Sequence, residues 1–310
     1  MAKKKKSTSK STTENKVETN INENNNNNTD TPKPFDPFEN LDDKQLDIFK
    51  QFKEKLNELE LSDKEKLWVD DMMILRYLRA REYDLQASFN LLKKTLEWRK
   101  QYKPDEITAE HLSYEASTGK QYCNGKTKDG KPAIYMRPVR ENTKNYERQI
   151  QLLVYTLERA IQHIDRSTET GVEQLAIVID FNGYSLFNAP PMSVARQTLE
   201  ILSDHYPERL GTAFVVDPPM IFNILYNAIM PFVNPNTAKK IVFVKGEKAK
   251  LKTMHEHFDI EHIERPHTGT SEFEYDHMTF WRNEIILDRE KRQLPPLSNE
   301  ELDVILKRKD

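Results

Sequence analysis

Apolar residues between positions 42 and 100 recur every three or four places along the chain. The first such stripe consists of Leu46, Phe49, Phe52, Leu56 and Leu59. This spacing puts the apolar side chains on one face of a helix. Ser62 followed by Glu65 has the spacing of a capping box, which predicts the start of another helix. Further helices are predicted over 70–80 and 85–100, so we expect a small all-helical lobe.

After residue 101, short apolar runs alternate with amphipathic segments. The predicted strands cover 132–138, 174–181, 212–216 and 240–244. The predicted helices cover 150–164, 192–206, 248–257 and 276–291. The continuous apolar run at 174–181 suits a strand buried on both faces of a sheet. Strands that alternate with helices predict an α/β fold with a mixed or parallel sheet and right-handed crossovers.

The segment from Met220 to Val233 is the most unusual stretch of the chain. It is apolar at 11 of 14 positions, and the exceptions are Asn223, Asn227 and Pro231. A helix that is apolar almost all round is normally buried or in lipid, but this one is too short to span a bilayer, which needs about 20 apolar residues. Two interpretations follow from the pattern: a crossover helix buried in a large core, or a mobile lid over an apolar cavity.

Composition narrows the class of protein. The 310 residues include 47 Lys and Arg against 50 Asp and Glu, so no basic field for nucleic acid is present. A single cysteine, Cys123, fits a reducing compartment. No apolar run reaches about 18 residues and no apolar signal core follows the N-terminal lysines, so we expect a cytoplasmic protein with at most transient, peripheral membrane contact. Residues 1–33 are Asn-rich and polar, which predicts a disordered tail.

The sequence contains only weak candidates for catalytic or metal-binding residues. Ser185 lies in GYSLF, but a hydrolase nucleophile elbow needs Gly where Phe187 stands. His255, His257 and two further histidines lack Cys or carboxylate partners at zinc spacing, and Asp180 at a strand end is more typical of a turn or cap. We therefore expect no catalytic residues, no metal and no cofactor, and a lipid hydrolase stays only as an alternative.

Two opposite charges flank the apolar segment. Glu208 precedes the strand at 212–216 and Lys240 opens the strand at 240–244. In a parallel pair, both residues lie at the same end of the sheet, so we expect a charge pair that is either a surface salt bridge or the polar edge of a pocket for a phosphate-bearing head group. Arg81 would add a guanidinium if the helical lobe packs over that edge.

Several motifs, in order along the chain, resemble those of the CRAL-TRIO lipid-binding domains. They are YLRAREYD (77–84), KDGKPAIY (128–135), VIDFNG (178–183), YPERLG (206–211), DPPMIF (217–222) and PFVNPNTAKKI (231–241). The resemblance spans about residues 65–270 and is strongest to the yeast-type phosphatidylinositol transfer proteins. It implies an N-terminal helical lobe, an α/β lobe with an apolar lipid cavity, and a gating helix, which favours the lid interpretation.

The resemblance also implies site residues. The head-group contacts of phosphatidylinositol match Arg81, Glu208, Thr237 and Lys240, although Glu82 stands where the family usually has a basic residue. The phosphatidylcholine contacts match Leu175, Ile177, Asn124 and Tyr135, of which only Tyr135 keeps the family's residue. We therefore expect phosphatidylinositol binding without phosphatidylcholine binding, and a second ligand that is apolar, such as a sterol.

The remaining expectations follow from this resemblance. The predicted domains are a tail and linker (1–41), the helical lobe (42–104), the lipid-binding domain (105–275), and a C-terminal helix with a charged tail (276–310). The predicted cavity residues are Tyr135, Leu175, Ile177 and Phe214. The predicted gate residues are Met220, Ile221, Phe222, Ile224, Leu225, Ile229 and Phe232. A lipid-presenting sensor or scaffold is an alternative to a carrier, because sequence does not separate the two.

Overall fold

A computed structural model describes residues 35–165, 170–185, 189–220 and 222–309, and all of them belong to one compact unit. The predicted disordered tail, 1–33, lies outside the described residues, as does Ile221. No helix in the described ranges is long and apolar enough to cross a membrane.

The first four helices form a core of their own. Helix α1 spans Asp43–Lys55, α2 Asp63–Trp68, α3 Asp71–Arg79 and α4 Leu85–Tyr102. Each begins at a side chain that accepts a backbone N–H, and Ser62 with Glu65 forms the predicted capping box. Phe52, Leu75, Leu78 and Leu92 are fully buried between these helices. The helical lobe predicted from the spacing of apolar residues is therefore confirmed.

The sheet contains five strands in the described part of the chain, in sequence order. They are β1 (Gln121–Lys126), β2 (Pro132–Met136), β3 (Leu175–Asp180), β4 (Leu210–Val216) and β5 (Ile241–Val244). Strands β1 and β2 are antiparallel, and every later neighbour pair is parallel. The expected mixed α/β sheet is confirmed. Strand β1 was not predicted, because QYCNGK has no continuous apolar run.

The remaining helices cover the sheet or follow it. They are α5 (Ala109–Leu112), α6 (Tyr146–Gln162), α7 (Met192–His205), α8 (Phe222–Ile229), α9 (Pro235–Ala238), α10 (Glu247–His257), α11 (His277–Lys291) and α12 (Asn299–Leu306). One face of the sheet packs on α6, where Ile134 and Leu175 join the main core. The other face buries Tyr135, Val178 and Phe214 against Met254 and Phe258 at α10.

The apolar segment is shorter as a helix than predicted. Helix α8 ends at Ile229, and Met230–Phe232 continues as a single 3₁₀ turn. The physical reason is Pro231, which has no N–H to donate to the preceding turn and whose ring disfavours a continued α-helix.

The C-terminal segment differs from the charged tail that we expected after residue 292. Ser298 and Glu301 form a capping box, and α12 follows it. Leu302, Ile305 and Leu306 are buried in the main core. The helix was not predicted because the segment is highly charged and has only three apolar residues on one face. Those three residues are enough to pack one short helix against the core.

Candidate functional site

A cavity of about 680 Å³ lies between the sheet, α6 and α7. Met136, Ile177 and Ile179 form its floor on the strands, since residues two apart on a strand share a face. Helix α7 contributes Val194, Ala195, Thr198, Leu199 and Leu202. The lining is mainly apolar, and the volume lies in the range of about 300–1,000 Å³ that is typical of small-molecule sites.

Helix α8 closes one side of this cavity. Phe222 and Ile229 line it, and they share a helix face because they are seven residues apart. The Phe222 ring packs 4.7 Å from that of Phe181, and the ring of Tyr226 packs 5.2 Å from that of Phe243 on β5. Aromatic contacts thus hold the inner face of α8 against the sheet and the segment after β3.

The outer face of the same segment is exposed to solvent. Met220 is 83% exposed, Ile224 66% and Phe232 51%. Asn223 and Asn227 are also exposed. The helix connects the parallel strands β4 and β5, but it is not buried all round as the first interpretation requires. Its role as a lid stays a prediction. Of the other predicted gate residues, Ile221 and the side chain of Leu225 lie outside the described part of the structure.

Another part of the cavity lining is polar, with one ammonium group between two carboxylates. Lys120 pairs with the buried carboxylate of Glu115, and its Nζ lies 2.6 Å from Glu141. Thr143 donates to Glu115 over 2.9 Å. Sequence reasoning missed this cluster because its members are separated by up to 28 residues and only the fold brings them together.

The predicted charge pair is present. Lys240 Nζ donates to Glu208 Oε2 over 3.1 Å, and both side chains are about one-quarter exposed. Strands β4 and β5 are parallel, with Ala213 beside Ile241, so the two charges share one end of the sheet. The carbonyl of Thr237 accepts the backbone N–H of Lys240 over 3.0 Å, which places Thr237 one turn away.

Arg81 lies apart from this pair. Within the described ranges it forms no ion pair with Glu208; its nearest carboxylate is that of Asp204, 3.9 Å from Nη2. Arg81 lines an open groove of about 590 Å³ together with Phe232 and Asn234. Because Asn234 caps α9, which carries Thr237, the groove joins Arg81 to the head-group candidates through one short helix.

Three of the four predicted cavity residues do not line the cavity. Tyr135 and Phe214 are buried on the opposite face of the sheet, because their positions alternate with those of the floor residues. Leu175 is on the cavity side but is fully packed in the core at the start of β3. Ile177 lines the cavity as predicted. The roles of Tyr135, Leu175 and Phe214 in a lipid cavity therefore remain predictions that this placement does not support.

A second buried network lies on that opposite face. Glu264 accepts hydrogen bonds from Tyr122 at 2.9 Å and from Asn124 at 3.0 Å, and it pairs with Arg137. Burial raises the pKa of the Glu264 carboxyl above its usual range, despite the opposing effect of Arg137. Burial also lowers the pKa of His267, whose Nε2 lies 3.7 Å from Asp180, to about 4. Asn124 is thus committed to the network and does not face the cavity.

Two other residues that the sequence offered as catalytic or metal-binding candidates have structural partners. Asp180 accepts the backbone N–H of Asn182 over 2.9 Å, as a turn-forming Asp does. His255 Nε2 lies 2.8 Å from the carbonyl oxygen of Thr268. In the residues that the structure describes, no group of three or more His, Cys, Asp or Glu side chains is arranged to hold a metal ion.

The fold combines a helical lobe, a mixed five-stranded sheet and an apolar cavity beneath a half-exposed helix. This combination defines a class of protein that is built to enclose a hydrophobic ligand. The model of the CRAL/TRIO domain matches residues 116–269, and that of the CRAL/TRIO N-terminal domain matches residues 48–94. The chain belongs to the CRAL/TRIO family, as the sequence motifs predicted.

Two relatives and one solved structure are informative. Phosphatidylinositol transfer protein PDR17 of Saccharomyces cerevisiae is 32% identical over 237 residues, which cover 73% of this chain and 65% of that protein. The SEC14 cytosolic factor of Kluyveromyces lactis is 29% identical over 249 residues, 75% of this chain and 80% of the relative. The crystal structure of Sfh5 superposes with a TM-score of 0.60 at 15% identity, covering 81% of this chain and 98% of that chain. The last likeness concerns the fold alone.

Proposed function

We propose that this protein extracts phosphatidylinositol from one membrane and carries it to another, with no covalent step. The observation that carries the proposal is the half-buried Glu208–Lys240 pair at one end of β4 and β5, on either side of α8 in the sequence. A relative that is 32% identical over 237 residues is named a phosphatidylinositol transfer protein.

The head group is assigned to four side chains. Lys240 and Arg81 supply cations for the phosphate, while Glu208 and Thr237 offer oxygen atoms to the inositol hydroxyls. Arg81 and the Glu208–Lys240 pair lie on separate elements, so a bound head group would span the groove beside α9. Charged hydrogen bonds of this kind contribute about 1.5–3 kcal/mol each.

The apolar cavity is assigned to the lipid tails. A diacyl lipid has ~30 methylene groups, and exposing them to water costs ~0.8 kcal/mol each, or ~24 kcal/mol in total. The cavity receives the tails from the bilayer, so they pass from one apolar environment to another and this cost is avoided. Burial of the tails therefore does not select among lipids. Selectivity therefore rests on the head-group residues.

We propose a second ligand that is apolar, for example a sterol, and not phosphatidylcholine. Ile177 lies on the cavity floor and Leu175 beside it, at positions where phosphatidylcholine-binding relatives offer hydroxyl groups. An apolar side chain leaves a buried phosphate oxygen unpaired, which is costly. In the polar part of the cavity, Lys120 is already paired with two carboxylates, so it offers no free cation to a phosphate and would leave room only for a small neutral group such as a hydroxyl.

The gate is assigned to α8 and the 3₁₀ turn after it. Its inner face is held by Phe222 and Tyr226, and its ends are limited by Pro219 and Pro231. We assign the protein to the cytosol with transient membrane contact, in keeping with a relative that is named a cytosolic factor. The proposed domain boundaries remain 42–104 for the helical lobe and 105–275 for the lipid-binding part.

The head-group assignment is tested by transfer of labelled phosphatidylinositol between vesicles. Lys240→Ala and Glu208→Lys are each expected to lower transfer at least tenfold, because each removes a charged contact of about 1.5–3 kcal/mol. Lys239→Ala, an exposed neighbour in the same segment, is the matched control and should transfer normally. Normal transfer by both head-group variants, with circular dichroism unchanged, would refute the assignment.

The ligand assignment is tested by mass spectrometry of lipid extracted from protein purified from its native cytosol. The expected result is phosphatidylinositol together with an apolar lipid. Abundant phosphatidylcholine would contradict the second part of the proposal, and a protein without any lipid would contradict both parts.

A further inference from the structure

The sheet ends at β5, and the outer edge of this strand is open in the described part of the structure. The carbonyl groups of Lys240 and Val244 accept backbone N–H groups from the β4 side over 2.9 and 2.8 Å. Since alternate residues of a strand point their backbone groups to the same side, Ile241 and Phe243 face outward. Among the described residues, the N–H and C=O groups of Ile241 and Phe243 have no hydrogen-bond partner. An unpaired row of this kind is a template for another strand.

The opposite edge of the sheet, at β1, is protected. Pairing of β1 with β2 is irregular between Cys123 and Lys126, where Gly125 has a φ of +64°. A Cβ atom at Gly125 would lie 3.2 Å from the carbonyl oxygen of His262, so the segment around His262 covers this edge. A bulge and a covering segment are two ways in which proteins prevent unwanted strand pairing. At β5, by contrast, the register with the neighbouring strand is regular and Phe243 is 46% exposed.

The four residues of β5 are all apolar. Its sequence is IVFV, with no charge, proline or glycine to interrupt pairing. Ile241 and Val242 are half-buried, and Phe243 is exposed. Because neighbouring side chains of a strand point to opposite faces, an added strand would find apolar surface on both faces of the sheet. The middle of its partner is therefore expected to be apolar as well.

The residues around β5 carry a strong positive charge. Positions 239–252 contain six lysines and a single acidic residue, Glu247. Lys250 is paired with both Glu247 and Asp217. Four further lysines are exposed and form no ion pair with a described carboxylate, namely Lys239, Lys245, Lys248 and Lys252. These lysines lie before and after the strand in the sequence, so they bracket the edge without interrupting it.

This charge decides between two kinds of partner strand. A second copy of β5 would bring the same lysines against each other, and like charges that lie directly opposite are destabilising. An acidic strand would instead meet opposite charges at both of its ends. The edge therefore complements an acidic segment better than it complements itself.

We propose that β5 is a docking edge for an extended segment of a partner protein, apolar in its centre and rich in Asp or Glu at both ends. The segment adds a further strand to the sheet, and its backbone pairs with Ile241 and Phe243. Pairing of the main chains supplies the affinity, while the lysines select an acidic partner. The inference concerns a protein partner and does not depend on the lipid that the cavity holds.

Docking is measured by fluorescence anisotropy with the full chain and a fluorescein-labelled peptide. The peptide has a centre of alternating valine and threonine residues and a pair of glutamates at each end. It is expected to bind saturably, and less tightly at high salt. The same peptide with N-methyl groups on its central amides keeps its charge but cannot pair, so it should bind at least about tenfold more weakly.

Two results with these peptides would overturn the proposal. The first is no binding of the unmodified peptide. The second is equal binding of the two peptides, because it would show that charge alone is recognised, as it is on an anionic lipid surface as well.

A pair of variants at one position isolates the backbone contact. Phe243→Pro removes one outward N–H and leaves the ladder with β4 intact. Phe243→Thr is the matched control, since it loses the same ring but keeps the N–H in a residue that favours strands. Phe243→Pro should weaken peptide binding about tenfold relative to Phe243→Thr.

Circular dichroism and urea unfolding establish whether both variants are folded. Equal binding by two folded variants would contradict pairing at this edge. If the proline variant does not fold, the N-methylated peptide tests the same pairing on the wild-type chain.

The selection by charge is tested with a reversal. Lys245→Glu combined with Lys248→Glu should weaken binding of the acidic peptide about tenfold and allow a peptide with lysine ends to bind. The control is Lys44→Glu combined with Lys93→Glu, which makes the same change of net charge at exposed positions of the helical lobe. The control should bind the acidic peptide normally. Equal weakening in the two double variants would mean that the lysines beside β5 have no special role.

The oligomeric state is followed by analytical ultracentrifugation. No dimer that depends on β5 is expected, because the lysines would face each other. A dimer that Phe243→Pro abolishes and Phe243→Thr keeps would assign the edge to a second copy of the chain and would overturn the proposal.

Discussion

His205 is held neutral by its surroundings. Its ring stacks on Trp98 at 4.2 Å, and its Nδ1 lies 3.2 Å from the hydroxyl of Thr95. Burial lowers the pKa of His205 to about 4, against the smaller effect of Asp204. Because the unfolded chain protonates a histidine near pH 6.5, the unfolded state binds more protons between these two values. Stability contributed by this residue is therefore complete above pH 6.5 and is lost as the pH falls toward 4.

We predict that this residue makes unfolding depend on pH. From pH 7 to pH 5, His205 should lower the free energy of unfolding by about 2 kcal/mol. His205→Phe keeps a ring on Trp98 but has no proton to gain, so its pH dependence should be smaller by that amount. Urea unfolding at both pH values measures the difference. An equal pH dependence in the two proteins would show that His205 is not the group that titrates.

Position 269 requires glycine because a side chain there has no room. A Cβ atom built there would lie 1.9 Å from the carbonyl oxygen of Ile263, and that oxygen accepts the backbone N–H of Ser271. Gly246 offers a comparison, since a Cβ there meets no atom within 4 Å although its φ is +78°.

We predict that Gly269→Ala lowers the free energy of unfolding by about 2–3 kcal/mol, because backbone must move to admit the methyl group. Gly246→Ala should cost only the strain of a backbone conformation (φ +78°, ψ 162°) that is used almost entirely by glycine, about 1–3 kcal/mol. Urea unfolding measures both losses. A neutral Gly269→Ala would contradict the steric argument.

At the scale of elements, short helices owe their stability to what they pack against. Helix α12 has only eight residues and is too short to be stable alone. Its buried residues and the ion pair of Arg282 with Asp303 attach it to α11. Helix α8 is equally short and has one face in solvent. Of these two helices, α8 alone lines the cavity.

We predict that Leu302→Ala lowers the free energy of unfolding by about 2–4 kcal/mol, as expected for a buried leucine. Val304→Ala on the exposed face of α12 should change it by less than about 0.5 kcal/mol. Both values come from urea unfolding followed by far-ultraviolet circular dichroism. A neutral Leu302→Ala would mean that α12 contributes nothing to the folded core.

At the scale of the whole molecule, one carboxylate joins the helical lobe to the sheet. Glu173, just before β3, pairs with both Arg76 and Arg79 of α3. The Arg76 and Glu173 side chains are 8% and 12% exposed, so water does little to screen them. Arg209 donates to the carbonyl of Glu173 over 2.7 Å and fixes the same segment.

We predict that Glu173→Ala destabilises the protein by about 3–5 kcal/mol, because it leaves two guanidinium groups facing each other with one of them buried. The exposed pair Lys53–Asp71 is the control, and Asp71→Ala should cost less than about 1 kcal/mol. Hydrogen exchange should show that loss of Glu173 loosens α3 more than β4. Equal losses in the two variants would refute a special role for Glu173.

Much of the candidate site follows from local pattern. The order of β4, α8 and β5 in the sequence was enough to predict that Glu208 and Lys240 meet, because parallel strands bring their starting ends together. The head-group role of Arg81 remains a prediction, since its side chain lies in a groove beside Asp204 and not at the pair itself.

The sequence by itself determined the helical lobe, the mixed sheet, the family and the unusual apolar segment, because each depends on spacing between nearby residues. The tertiary structure decided which strand residues face the cavity. Where both faces of a sheet are buried, apolar residues occupy every position of a strand, and the alternation that would assign Phe214 and Ile177 to opposite faces disappears. Contacts such as Arg196 with Phe232 likewise depend on how α7 packs beside the 3₁₀ turn after α8, which no local pattern encodes.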